Sequence, residues 1–153
     1  MKFAAAVLFC SLLAGVASAQ TPAPVASMKT FASSADVIAL IAKAKSEHKD
    51  GQTIVMEPIL QFAPYAATLE YRASAGAAAV HPNQAEMMYV IEGSATLVTG
   101  GKLTGATIQG GDTRTVSKGD FIVVPEGTPH WFSAVDGAVV LMTIKMPRGT
   151  ATP

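Results

Sequence analysis

GDFIVVPEGTPH, residues 119–130, sets the β run Phe121–Val124 between two breakers, Gly119 and Pro125. The turn Pro125-Glu126-Gly127-Thr128-Pro129 then releases the chain into a second run that opens with His130, Trp131 and Phe132. Proline and glycine punctuate, and β-branched and aromatic residues fill the stretches between them, which is the pattern of short strands joined by tight turns. A histidine at a strand end is usually a surface or hydrogen-bonded residue. Here it leads directly into a strongly apolar run, and that context marks it for attention.

The same arrangement occurs upstream in HPNQAEMMYVIEG, residues 81–93. His81 ends one β run, and Glu86 begins the next across the Pro82-Asn83 turn, followed by Met-Met-Tyr-Val-Ile. From Thr53 onward the predicted runs are Ile54–Phe62, Thr68–Ser74, Ala77–His81, Met87–Ile91, Ser94–Thr99, Arg114–Ser117, Phe121–Val124, His130–Ala134 and Val139–Met146. Breakers separate them, among them Pro64, Gly76, Gly93, Gly100-Gly101, Gly110-Gly111 and Asp136-Gly137. So many short strands predict an all-β sandwich or small barrel over residues 52–147. The glycine-rich stretch Gly100–Asp112 is expected to be a mobile loop or flap. No repeat of fixed period is present.

Ahead of the β region, residues 33–51 are predicted to form one amphipathic helix. Ser33 and Asp36 make a capping-box-like start. Val37, Leu40, Ile41 and Ala44 recur at helical spacing, lysines gather toward the C-terminal end, and Gly51 supplies a stop. The helix is expected to pack on the outside of the β domain, with His48 solvated in its polar tail. Residues 20–32, rich in Pro, Ala and Ser, read as a flexible leader, and residues 148–153 as a disordered tail.

Residues 1–19 read as a signal peptide. A basic start (Met1-Lys2) precedes the apolar run Phe3–Val16, which closes in Ala17-Ser18-Ala19, the small-x-small pattern of a cleavage site. A bilayer span needs about 20 apolar residues, and this run is shorter. Cleavage leaves 134 of the 153 residues, enough for one domain with one core. It also removes Cys10, the single cysteine, which excludes disulfides, thiolate metal sites and cysteine nucleophiles in the mature chain. A periplasmic or secreted location follows as an expectation.

Mature charge is nearly balanced, with no block of one sign, which argues against nucleic acid as a partner. Gly100-Gly101-Lys102 is followed by Leu103 where a phosphate loop needs Ser or Thr, and no serine sits in a nucleophile-elbow context. With His48 set aside, His81, Glu86 and His130 are the candidate site. Strand alternation places Met88 and Phe132 on the face of Glu86 and His130, while Tyr89 and Trp131 point the other way. Ala79 shares a face with His81, and its small side chain leaves room beside the site. Tyr65, Tyr71 and Arg72 are further polar candidates whose direction the pattern does not fix.

These two stretches resemble the two motifs of the cupin family. The second motif, G-x5-P-x-G-x2-H-x3-N, is filled by Gly119, Pro125, Gly127 and His130, with Ala134 in the last place. The first has two histidines one residue apart, then a glutamate, then a glycine; His81, Glu86 and Gly93 match, and Ala79 stands where the first histidine belongs. An alternative register makes His81 the first and Asn83 the second, but sets Asn83 too close to Glu86. The resemblance spans roughly residues 73–134 and implies a cupin-type double-stranded β-helix, or jelly-roll barrel.

The resemblance further implies a divalent metal, Fe, Mn, Ni or Zn, held by His81, Glu86 and His130. Two imidazoles and one carboxylate suit non-haem Fe(II) and catalytic Zn²⁺. With Ala79 in place of a fourth ligand, a coordination position is open to substrate, water or O₂. The expected function is that of an exported cupin acting on a small molecule by oxygenase-, isomerase- or lyase-type chemistry. The competing reading is a non-catalytic ligand-binding or structural module with a vestigial, metal-free site, in which His81 and Glu86 hydrogen-bond each other. A homodimer is expected from the resemblance alone.

Overall fold

A computed structural model describes residues 28–148. Residues 1–27 and 149–153, where the expected signal peptide, most of the expected leader and most of the expected tail fall, lie outside the described residues. One helix and eight strands follow in order: α1 (Ser34–Glu47), β1 (Ile54–Phe62), β2 (Tyr65–Arg72), β3 (Gln84–Thr99), β4 (Lys102–Thr104), β5 (Thr107–Gln109), β6 (Asp112–Ser117), β7 (Phe121–Val124) and β8 (His130–Pro147). The fold is the all-β jelly roll with a single helix.

Two long strands organise the barrel. The first part of β3 pairs with β7 on one side and with the C-terminal half of β8 on the other. Its second part pairs with β6 and with the N-terminal half of β8. The sequence pattern split each of these strands in two, at Gly93 and at Asp136-Gly137. Both glycines take positive φ, +78° and +69°, and the β3–β8 register shifts beside Gly93, so the chain bends there and continues pairing. Bending folds the sheet back over itself and brings its two ends together.

An inner apolar cluster fills the space so enclosed, with Met88, Val90, Ala95, Leu97, Val116, Val124, Phe132, Val139 and Leu141. On the outer side, Ile41 and Ala44 of α1 pack over Val55, Ile59, Ala67, Leu69 and Val140. Alternation accounts for the division, since Val139 and Leu141 point in while Val140 points to the helix. Helix α1 starts where expected, because Ser33 and Asp36 form a complete capping box. It ends at Glu47, with His48 as an extended C-cap rather than a helical residue, and Gly51 serves the turn beyond. His48, expected on the solvated surface, is partly buried: Nε2 lies 2.7 Å from the Gln52 carbonyl and the ring meets Tyr71 edge-on.

Two further expectations are corrected. Gly100–Asp112 contains the small hairpin β4–β5 rather than an unpaired flap, with Ile108 buried. Its base is tied down where Gly100 N–H donates to the Pro129 carbonyl, and its tip where Ala78 N–H donates to the Ala106 carbonyl. The run Ala77–His81 makes only one isolated bridge, at Ala79, opposite His130.

Candidate metal centre

The barrel's closure decides the site. Glu86 lies in register with Lys145 and Val124, and His130 with Thr99, at opposite ends of β3. Folding over sets His130 Nε2 3.0 Å and His81 Nε2 3.4 Å from the same oxygen, Glu86 Oε2. One ligand atom from each residue lies within 4.8 Å of the others, and the two imidazole centroids are 5.2 Å apart. Glu86 and His130 are buried, while His81 keeps about a quarter of its side chain exposed, at 26%.

Local chain geometry holds each group. His130 Nδ1 lies 3.2 Å from the Thr128 carbonyl, within the Pro125–Pro129 turn. With Nδ1 engaged there, Nε2 is the ring atom turned toward Glu86. That is how a second hydrogen bond orients a histidine for a metal. His81 is held through its backbone, its carbonyl accepting from Gly127 N–H at 2.8 Å, so one turn positions both imidazoles. Ala79 exchanges backbone hydrogen bonds with His130 in both directions at 2.9 Å.

The surroundings of His81 and Glu86 favour their metal-binding forms. Burial holds the His81 imidazole below its ordinary range, helped by Lys145 and His130 against the opposing pull of Glu86. Burial pushes Glu86 up, but the hydrogen bond from His130, with the charges of His130, His81 and Lys145, outweighs it and leaves the carboxyl below its usual range. A neutral imidazole and an ionised carboxylate are the forms that bind a metal.

Of the lining candidates, Met88 and Phe132 are almost fully buried within the inner cluster, and Ala79 is partly buried opposite His130. Tyr89 faces outward and stacks on Phe121, while the Trp131 indole N–H donates to the Gly76 carbonyl at 2.7 Å. Tyr65 is exposed, and Tyr71 joins the helix-facing cluster. Arg72 binds Glu70 through Nε and Nη2 and lies over the Phe132 ring, 4.8 Å from its centre. Sequence reading missed Thr128 and Lys145. Only the cross-strand register puts Lys145 opposite Glu86, and nothing local to either residue signals it. A groove of about 490 Å³ beside His81 is lined by Pro82, Asn83, Gln84, Pro147 and Arg148.

The cupin domain family model matches residues 66–145, more than half of the chain. The chain belongs to the cupin family. No curated protein sequence matches it. Among solved structures, this cupin is similar to a candidate mannose-6-phosphate isomerase from Ralstonia eutropha JMP134, at 18% identity and TM-score 0.52, over 67% of this chain and 93% of the other. It is also similar to KdgF from Halomonas sp., at 20% identity and TM-score 0.50, over 67% of this chain and 92% of that one. Fe(II) HppE aligns at 17% identity and TM-score 0.54, over 62% of this cupin and 52% of HppE, so the match takes in about half of that protein. At these identities the likeness establishes the shared fold.

Proposed function

We propose that this protein is an exported cupin enzyme that holds a divalent metal through His81, Glu86 and His130 and acts on a small molecule. The observation that carries the reading is the convergence of two imidazoles and one carboxylate within 4.8 Å, with His130 oriented from behind by Thr128. Three donors, with no fourth among the described residues, leave coordination open, as catalytic sites require and closed structural sites do not. When bound, the metal supplies Lewis-acid or oxygen-activating chemistry. The protein's own part is to present Glu86 ionised and His81 neutral, and to keep the back of the site dry with Met88 and Phe132. The Fe(II) form of HppE supports iron as one candidate beside Mn, Ni and Zn.

A second reading has its own support. His81 and His130 both contact Glu86 Oε2, so the triad can satisfy itself by hydrogen bonds in a metal-free binding module. Elemental analysis of protein purified without added metal, beside a His130→Ala variant, separates the two. Stoichiometric metal that disappears in the variant supports the enzyme; a site that stays empty when Fe, Mn, Ni and Zn are supplied sinks it.

Export rests on residues 1–19, and N-terminal sequencing of the mature protein tests it: a chain recovered uncut from the cytosol refutes it. A homodimer is supported by the outward face of the edge strand β7, where Phe121 and Val123 are 70% and 61% exposed. Sedimentation velocity on the wild type and Phe121→Ser checks this, and a wild type that sediments as a monomer excludes it.

A further inference from the structure

A cavity of about 390 Å³ opens between β6 and β7, and three of its lining residues adjoin the metal centre. Val124, which lines it, is the register partner of Glu86, and Thr99 is the register partner of His130. Thr128, whose carbonyl meets His130 Nδ1, lines it too. Leu97, Val116 and Ile122 give it an apolar side, beside the polar Thr115 and Asp120.

Arg114 also lines this cavity. In β6 it lies two residues from Val116, which belongs to the inner cluster, and directly opposite Leu97, which is fully buried. Alternation therefore turns Arg114 to the inward side, at the cavity's rim, where it stays exposed. Among the described residues it forms no ion pair. Asp120, the acid lining the same cavity, is engaged by the N–H of Ser117 at 2.7 Å and by the Ser117 hydroxyl. A planar guanidinium with free donors, beside the cavity's apolar side, matches a carboxylate carried on an apolar body.

We propose that Arg114 binds the carboxylate of the substrate, which makes the substrate class a small organic acid whose apolar portion lies along Leu97, Val116, Ile122 and Val124 toward Glu86 and His130. This deepens the enzyme reading above and rests on it for the reacting end of the molecule. Arg114 is a specificity residue and takes no part in holding the metal.

Benzoate and its neutral isostere benzamide are suitable probes, titrated by calorimetry into wild type, Arg114→Leu and Arg114→Lys, each metal-stripped and zinc-loaded. The metal-stripped form offers benzoate no zinc, so affinity there reports the guanidinium. Benzoate is expected to bind wild type more tightly than benzamide does, and to lose about tenfold or more in Arg114→Leu. Arg114→Lys keeps part of the affinity, because charge remains and the fork is lost. Zinc content stays unchanged in both variants. Benzoate that fails to bind the stripped wild type, or binds Arg114→Leu equally well, overturns the anion site whatever the zinc result. Arg114-dependent benzoate binding in a protein that takes up no zinc keeps the anion site and removes the metal reading.

Discussion

Ala79 and His130 lie directly opposite one another and exchange both backbone hydrogen bonds at 2.9 Å. In such an antiparallel pair the two side chains rise from the same face, about 5.5 Å apart at Cα. A histidine at position 79 would stand beside His130, with His81 two residues on. This is the place of the first motif histidine, and alanine there leaves the triad one ligand short. Ala79→His is expected to complete a four-ligand set and tighten zinc by about tenfold or more, measured by competition with a chelator. Unchanged affinity would mean that the side chain at 79 does not reach the centre.

The charge state of the triad gives a pH prediction for the metal-stripped protein. His81 and Glu86 titrate below their ordinary values of 6.5 and 4.5 in the folded chain. Between folded and ordinary values the unfolded state binds more protons, so stability rises with pH through that window. Both contributions are complete above the unfolded values and are lost as pH falls through the folded ones. Urea midpoints should therefore be level above the histidine range and decline on acidification below 6.5. His81→Ala should flatten the first part of that decline, and a wild-type midpoint rising toward acid would contradict the assignment.

Gly93 bends β3 with φ +78°, and a Cβ built there would overlap the Ala138 carbonyl of β8. Since that obstacle is backbone, neither strand can give way cheaply. Gly93→Ala is expected to cost about 2–4 kcal/mol through left-handed strain and the clash. Equilibrium denaturation of the metal-stripped form checks this. A loss within about 0.5 kcal/mol, the range of an ordinary surface substitution, would show that the bend is not needed for closure.

Ile41 joins α1 to the outer face of the barrel and is 6% exposed. Ile41→Ala should destabilise the protein by about 2–4 kcal/mol, while zinc stoichiometry stays at the wild-type value. Loss of zinc in this variant would instead tie the helix to the metal centre.

Local chemistry was legible without coordinates. The strand Phe121–Val124, the turn after it, the helix start at Ser33 and the inward alternation of Met88 and Phe132 depend on neighbours within a few residues. Near-neighbour physics also explains the misreadings. Gly93 and Asp136-Gly137 look like strand ends because glycine usually breaks pairing, yet β8 and β3 pair across the bends and keep both strands whole. The same holds for Gly100–Asp112, whose glycines turn a hairpin that packs Ile108 inward. Motif spacing named His81, Glu86 and His130, but not their distances, since Glu86 and His130 meet only when β3 doubles back on itself. Thr128 lies two residues from His130 in the same turn, but Lys145 opposite Glu86 and Arg114 at the cavity rim follow from register and closure. Those are properties of paired strands, and no single stretch of chain encodes them alone.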